Sequence, residues 1–179
     1  MTSSRSKNNK NYFKEIIKGA QEPIKIIVVC FAKETKKWPE SFKRERKRFL
    51  FLKKKIDFIL ASNNPDIFAK QVKWADIVDI QGGNTLLLCK NIKKVKNLNK
   101  IIKDKIVAGS SAGANIIAKY YYSNDRKKIE NGLSILPIKV FAHYSKKMIS
   151  EFNNLKKYKE KLKIYSIPET EFVIIKKIK

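Results

Sequence analysis

The stretch that most constrains this chain is Ile106-Val-Ala-Gly109-Ser110-Ser111-Ala112-Gly113-Ala114-Asn115-Ile116-Ile117-Ala118. A short apolar run meets two glycines that bracket a serine, and a run with helical character follows at once. This is the Gly-x-Ser-x-Gly form of a nucleophile elbow, a tight strand-to-helix turn that lifts one hydroxyl above a sheet. A serine held on so sharp a turn has strained backbone angles, and side chains two residues to either side would crowd it. The N–H of Ala112 then points where an oxyanion would develop, at the positive end of the following helix. The pentapeptide also recurs by chance, so its weight comes from its place between a strand and a helix.

The surrounding pattern supplies those elements. Pro23-Ile-Lys-Ile-Ile-Val-Val-Cys-Phe31 is a continuous β-branched run, the mark of a strand covered on both faces. Asp76 to Gln81, Lys105 to Ala108, Ile138 to Ala142 and Leu162 to Ile167 read as further strands, with Glu171 to Ile175 as a last one after a turn at Pro168-Glu169-Thr170. Helical spacing marks Asn11 to Gly19, with the glycine as a C-cap, and also Pro65 to Gln71, Asn91 to Lys103 and Ser150 to Lys161. Trp38 to Leu60 reads as one long charged helix that buries Phe42, Phe49, Leu52, Ile56 and Ile59. Tyr120 to Asp125 reads as a polar connection. Strands alternating with helices predict an α/β fold: a three-layer α/β/α sandwich on a mostly parallel sheet, with a hairpin near the end. The length of 179 residues fits a single catalytic domain.

Composition excludes several classes. At 43% hydrophobic residues the chain is globular, and no apolar run approaches the roughly 18 to 20 residues of a membrane span. The N-terminal stretch lacks the apolar core of a signal peptide, so no membrane role and a cytoplasmic location are expected. Cys30 and Cys89 lie in apolar surroundings as thiols, and two Cys with one His give no metal-site spacing, so no metal is expected. Lys and Arg number 41 against 16 Asp and Glu, a net charge of +25. The excess is mostly Lys, spread along the chain beside abundant Ile and Asn, and so reads as a compositional bias with nonspecific polyanion adhesion. The alternative is a basic nucleic-acid-binding module on the same fold without catalysis. No feature specifies an oligomeric state.

In open α/β sheets the active site gathers beyond the carboxyl ends of the strands. Four places qualify: Gly82-Gly83-Asn84, Ser111, His143 and the turn at Glu169. Serine catalysis needs a base, an acid to orient it, and N–H donors for the oxyanion. His143 is the only histidine in the chain, so it is the candidate base. The orienting acid is Glu169 or Asp125. Glu169 lies just past a strand end, whereas a helix after the elbow would carry Asp125 roughly 13 Å away unless the chain folds back, which favours Glu169. Asn84 or Thr85 would cap the helix that starts at Leu86, and the Gly82-Gly83 pair lets backbone approach a ligand closely.

Taken in order, Val78-Asp-Ile-Gln-Gly-Gly-Asn-Thr-Leu86, Ala108-Gly-Ser-Ser-Ala-Gly-Ala-Asn115, Gly132-Leu-Ser-Ile-Leu-Pro137 with His143-Tyr144, and Ile167-Pro-Glu-Thr170 resemble the motif set of the dipeptidase E (α-aspartyl dipeptidase) family, to which cyanophycinase is related. Phe31-Ala-Lys with Trp38 resembles the segment after that family's early strand, and Met1 to Ser4 would be its first strand. The resemblance implies a fold like that of class I glutamine amidotransferases, with serine in place of cysteine. It implies Ser111 as nucleophile, His143 as general base, and Glu169 or Asp125 as third member. The Gly83 and Ala112 amides would form the oxyanion hole, with Asn84 beside them on the substrate side. The implied activity is hydrolysis of small peptides, such as dipeptides with an N-terminal Asp, with no metal or cofactor. Two local departures stand out: Gln81 precedes Gly82-Gly83 where some members have a third glycine, and Phe141-Ala142 replaces Asn-Pro before His143.

Overall fold

The computed structural model describes residues 3–176, which fall into two compact units: Phe13–Ala114, and Asn115 onward together with the N-terminal segment to Tyr12.

The first element is helix α1 (Ser3–Ile16), after which Gly19 takes a left-handed φ of +81°. Met1 and Thr2 lie outside the described residues, and Ser3 and Ser4 open this helix instead of a strand. The physical reason is plain in SSRSKNNK, which offers a sheet no apolar or β-branched side chain to bury.

The Phe13–Ala114 unit continues with β1 (Ile24–Val29), α2 (Trp38–Phe49), β2 (Ile56–Leu60), α3 (Pro65–Trp74), β3 (Ile77–Ile80), α4 (Thr85–Ile92), α5 (Leu98–Ile101) and β4 (Ile106–Gly109). Its four strands are all parallel, in the order β2-β1-β3-β4. Successive residues of a strand point to opposite faces, so the unbroken burial of Ile26 to Val29 and Ile77 to Ile80 means that both faces of the sheet are covered. Phe49, Phe68, Val72 and Leu88 of the helices are themselves buried. Phe31, just past β1, packs against Trp38 and Phe68 with ring centroids 5.2 Å apart in each case.

Two expectations fail here. The helix predicted over Trp38 to Leu60 ends at Phe49, passes through a short 3-10 turn at Leu50–Leu52, and resumes as strand β2. Lys53 takes a left-handed φ of 52°, which breaks the helical path, and Ile56-Asp-Phe-Ile-Leu60 carries the side chains that suit an edge strand. The buried face of α2 is accordingly Trp38, Ser41, Glu45 and Phe49. The helix predicted over Asn91 to Lys103 is only the end of α4 and the four residues of α5, because Asn97 interrupts it with a φ of 56°.

The other unit carries most of α6 (Ala112–Ile117), then β5 (Tyr120–Ser123), β6 (Lys128–Asn131), β7 (Ile138–Ala142), α7 (Ile149–Lys157) and β8 (Lys163–Ile167). Its sheet runs β6-β5-β7-β8, with β5 antiparallel to β6 and parallel to β7, and β7 parallel to β8. Tyr120, Tyr122, Phe141 and Leu155 form its core, with Tyr144 and Phe152 packed against them. The segment read as a polar connection is thus a buried aromatic strand: alternating Tyr side chains suit a sheet covered on both faces, and their hydroxyls find partners, Tyr120 on Glu160 and Tyr121 on Glu130. The hairpin of this fold is β5–β6. The segment Glu171 to Ile175 is irregular, with Val173, Ile174 and Ile175 exposed.

Candidate active site

The glycine loop and the serine both belong to the Phe13–Ala114 unit. β3 and β4 are neighbours in the sheet, with Ile80 opposite Gly109, so the chain leaves both strands at the same edge. After β3, Gln81 N–H donates to Val29 O at 3.0 Å and Asn84 N–H to Ala32 O at 2.9 Å, which pins the loop at both ends. Between these pins Gly83 has a φ of +143°, and a Cβ there would stand 2.5 Å from Ala32 O. Only glycine fits. Asn84 caps α4, its Oδ1 accepting from Leu87 N–H at 2.9 Å, as the Asn-Thr pair predicts.

At the elbow, Ser110 N–H donates to Ile80 O at 3.0 Å and Gly113 N–H to Ser110 O at 2.8 Å, forming the tight turn. Ser111 at its apex has a φ of 50°, the left-handed conformation that strains a residue with a side chain. Ser111 is half-buried and Ala112 fully buried. The second glycine of the motif has a steric cause: a Cβ on Gly113 would lie 2.2 Å from Ile80 O. The glycine loop and the elbow are adjacent, since a Cβ built on Gly82 would stand 3.1 Å from Ser111 Cβ.

The histidine and both candidate acids belong to the other unit. β7 ends at Ala142, and His143 follows with a φ of 58°, which turns the imidazole out of the strand path. β8 pairs with β7 so that Ile167 lies opposite Ala142, and Glu169 comes two residues later. This register brings the two side chains together: His143 Nδ1 and Glu169 Oε1 are hydrogen-bonded. The pair is solvated, with 44% and 65% of the two side chains exposed. Asp125 lies exposed in the β5–β6 turn. The chain does fold back here, since β5 runs parallel to β7 and Asn124 Nδ2 donates to Ala142 O at 2.8 Å, but the carboxylate on the imidazole is that of Glu169.

Three buried polar residues near the glycine loop went unassigned in the sequence. Asp79 on β3, Gln81 after it and Glu45 on α2 are 1%, 7% and 2% exposed. Their signals are an Asp inside an apolar strand, a Gln directly ahead of a glycine pair, and a Glu in phase with Trp38 and Phe49 on the buried face of a helix. Among the described residues no group of three or more His, Cys, Asp or Glu is placed to hold a metal ion, and no helix is long and apolar enough to cross a membrane.

The α/β fold, mostly parallel and with helices on both sides, is that of peptidase E proteins, and the class is that of serine-type peptidases. The chain belongs to Peptidase family S51, whose sequence profile matches residues 1–179. Two solved structures share the fold. One is a candidate peptidase E protein from Listeria monocytogenes EGD-e, with a TM-score of 0.63, 17% identity, and coverage of 90% of this chain and 85% of that one. The other is a peptidase from an acI-B1 Actinobacterium, with a TM-score of 0.61, 17% identity, and coverage of 93% and 75%. No curated protein matches the sequence.

Proposed function

We propose that the protein hydrolyses small peptides through an acyl-enzyme, with Ser111 as nucleophile, His143 as general base and Glu169 as the acid that orients it. The observation that carries this reading is the hydrogen bond between His143 Nδ1 and Glu169 Oε1. A carboxylate on Nδ1 leaves Nε2 as the nitrogen that accepts a proton, the tautomer a serine base must have.

Ser111 Oγ attacks the scissile carbonyl as His143 Nε2 takes its proton. The carbonyl oxygen, now negative, receives the N–H groups of Gly83 and Ala112. Collapse breaks the C–N bond, and His143 returns the proton to the leaving amine. Water then attacks the ester with the same base, releasing the acid and restoring Ser111. The chemistry needs no metal or cofactor. Asp125 becomes a residue of the hairpin turn with no proton to manage.

A peptide with an N-terminal Asp is the substrate this reading favours, on the family resemblance and on the excess of positive charge. Ser111→Ala tests the assignment. Loss of the nucleophile removes hydrolysis of Asp-X dipeptides by about four orders of magnitude or more, because triad members act as a unit. The fold survives, as read by circular dichroism, since Ala is smaller than Ser at a half-buried site. Turnover equal to the wild type sinks the assignment.

A further inference from the structure

β3, the strand that delivers the glycine loop, carries side chains that the chemistry above does not use. Gln81 Nε2 donates to Asp79 Oδ2 at 2.9 Å, and the Glu45 carboxylate of α2 lies close enough for its charge to act on Asp79. Two carboxyls and one amide are therefore sealed inside the Phe13–Ala114 unit, with Asp79 and Gln81 immediately ahead of Gly82 and Gly83. Buried polar groups cost stability compared with apolar side chains of the same volume, and when every member is bonded they fix one geometry. The loop they adjoin has little slack. A Cβ on Gly82 would crowd Ser110 O and Ser111 Cβ at 3.1 Å, and Gly83 lies against Ala32 O.

We propose that Asp79, Gln81 and Glu45 are positioning residues of the oxyanion loop: the Gln81 amide, held by Asp79 with Glu45 buried beside the pair, sets the direction in which the Gly82–Gly83 backbone presents its N–H to the reacting oxygen. This inference rests on the reading of Ser111 and Gly83 given above. It also explains why a glutamine stands where a third glycine would leave the peptide free to turn.

The network has a defined charge state. Burial, and then the negative charge of Glu45, push the Asp79 carboxyl well above the usual carboxylate range. Burial raises Glu45 too, but Arg48, whose Nη1 donates to Glu45 Oε2 at 3.0 Å, opposes it. The other groups facing the pair are Lys33 and the Cys30 thiol, which burial pushes up to about 11 and keeps neutral. Asp79 is thus the carboxyl held further above its ordinary range, and Glu45 the one paired with a cation. A carboxyl raised on folding binds more protons folded than unfolded, so stability falls as pH rises from its unfolded value towards its folded one. When Asp79 ionises beside Glu45, the repulsion loosens the Gln81 anchor and the loop with it.

The test is the rate at which a fluorophosphonate probe labels Ser111, which needs no knowledge of the natural substrate. Ser111 Oγ forms a bond to phosphorus, fluoride leaves, the serine proton passes to His143, and the phosphoryl oxygen takes the oxyanion position. Gln81→Leu and Asp79→Leu label about 10- to 100-fold more slowly than the wild type at equal folded fraction, the size expected of a displaced oxyanion donor. Asp79→Asn keeps the acceptor for Gln81 Nε2 and labels within about threefold of the wild type at neutral pH, while removing the decline in rate that the wild type shows on ionisation of Asp79. Gln81→Leu labelling at the wild-type rate, or Asp79→Asn declining with pH as the wild type does, overturns the inference. Where the leucine variants fail to fold, the pH comparison with Asp79→Asn decides alone. A wild type that takes no label overturns the Ser111 reading and this inference with it.

Discussion

The two units hold their parts of the proposed site by different means. In the Phe13–Ala114 unit the work is done by backbone: glycines whose missing Cβ atoms leave room for a neighbouring carbonyl, peptide N–H groups pinned to Val29 O and Ala32 O, and a serine forced to a φ of 50° by the turn. In the other unit it is done by side chains, an exposed imidazole and an exposed carboxylate brought together by the register of β7 and β8. Backbone geometry in a packed interior tolerates almost no displacement. A solvated side-chain pair can re-form after a small shift and is weakened by water and salt. Changes on the nucleophile side should therefore act almost as switches, and changes on the base side should be graded.

The largest effect after loss of Ser111 is expected from Gly83→Ala. Its Cβ would stand 2.5 Å from a backbone oxygen that cannot rotate away, so the loop must move and its N–H leaves the oxyanion position. Turnover should fall by about 10²- to 10³-fold, the loss typical of one oxyanion donor, with KM much less affected. Gly113→Ala meets Ile80 O at 2.2 Å and should lower the melting temperature as well, since β3 itself has to shift. Near-normal turnover in Gly83→Ala would show that the loop is looser than its contacts imply, and would break the contrast between the units.

On the other side, Glu169→Gln should lower kcat by about 10²-fold. That is less than the roughly 10⁴-fold seen when a buried triad acid becomes its amide, because this pair is open to water. Asp125→Asn should stay within about twofold of the wild type, as ordinary for an exposed turn residue away from reacting atoms. Comparing kcat for the two variants on one Asp-X dipeptide decides which acid orients the base. A larger loss in Asp125→Asn reverses the assignment.

The same contrast explains what could be read from the sequence. Backbone-determined parts leave direct marks: Gly109, Ser111, Gly113 and the Gly82-Gly83-Asn84 run each name a local conformation, and each of the strands before them is a short apolar run. Register-determined parts do not. That Glu169 meets His143 depends on Ile167 pairing with Ala142, a contact between strands separated by a helix, and nothing local to either residue specifies it. Strand β5 is hidden because the three adjacent residues of Tyr120-Tyr-Tyr122 show no apolar–polar alternation, and β2 because Ile56 and Ile59 also fit a helical stripe continued from α2. The Asp79–Gln81–Glu45 network joins residues on β3 and α2, and only packing brings those together.

Stability should show the contrast in a milder form at Lys139. This residue lies on β7, fully buried, and its Nζ donates to Lys156 O at 3.0 Å and Tyr158 O at 2.5 Å, satisfying carbonyls at the end of α7. Burial lowers its pKa, so the unfolded chain binds the proton more tightly and stability rises as pH climbs from the folded value towards the ordinary lysine value. Lys139→Met removes both the buried charge and its two bonds. The loss should be about 1–3 kcal/mol in urea unfolding, the range for hydrogen bonds to a charged group left without their donor. Because His143 sits at the end of the same strand, kcat should fall with it, by a few-fold and not as a switch.

The smallest effect concerns the net charge of +25, for which we propose nonspecific polyanion adhesion with no dedicated site. Each unit has a basic groove: Lys43, Arg46, Lys47 and Lys54 in one, and Lys156, Lys157, Lys159 and Lys161 in the other. Groove cations already sit over aromatic rings, Arg46 over Phe42 and Phe58 at 5.7 and 5.8 Å, and Lys159 over Tyr120 and Tyr158 at 5.4 and 5.2 Å. Those rings are therefore poor platforms for stacking bases, and binding should follow charge alone. Affinity for a single-stranded oligonucleotide should fall steeply with salt and show no sequence preference. Replacing Lys43 and Lys47 by Glu, or Lys156 and Lys157 by Glu, should reduce the log–log salt slope by similar amounts, about one to two for either pair. If one pair abolishes binding while the other leaves it unchanged, the charge is organised on one unit, and that unit carries a nucleic-acid site beside its share of the hydrolase.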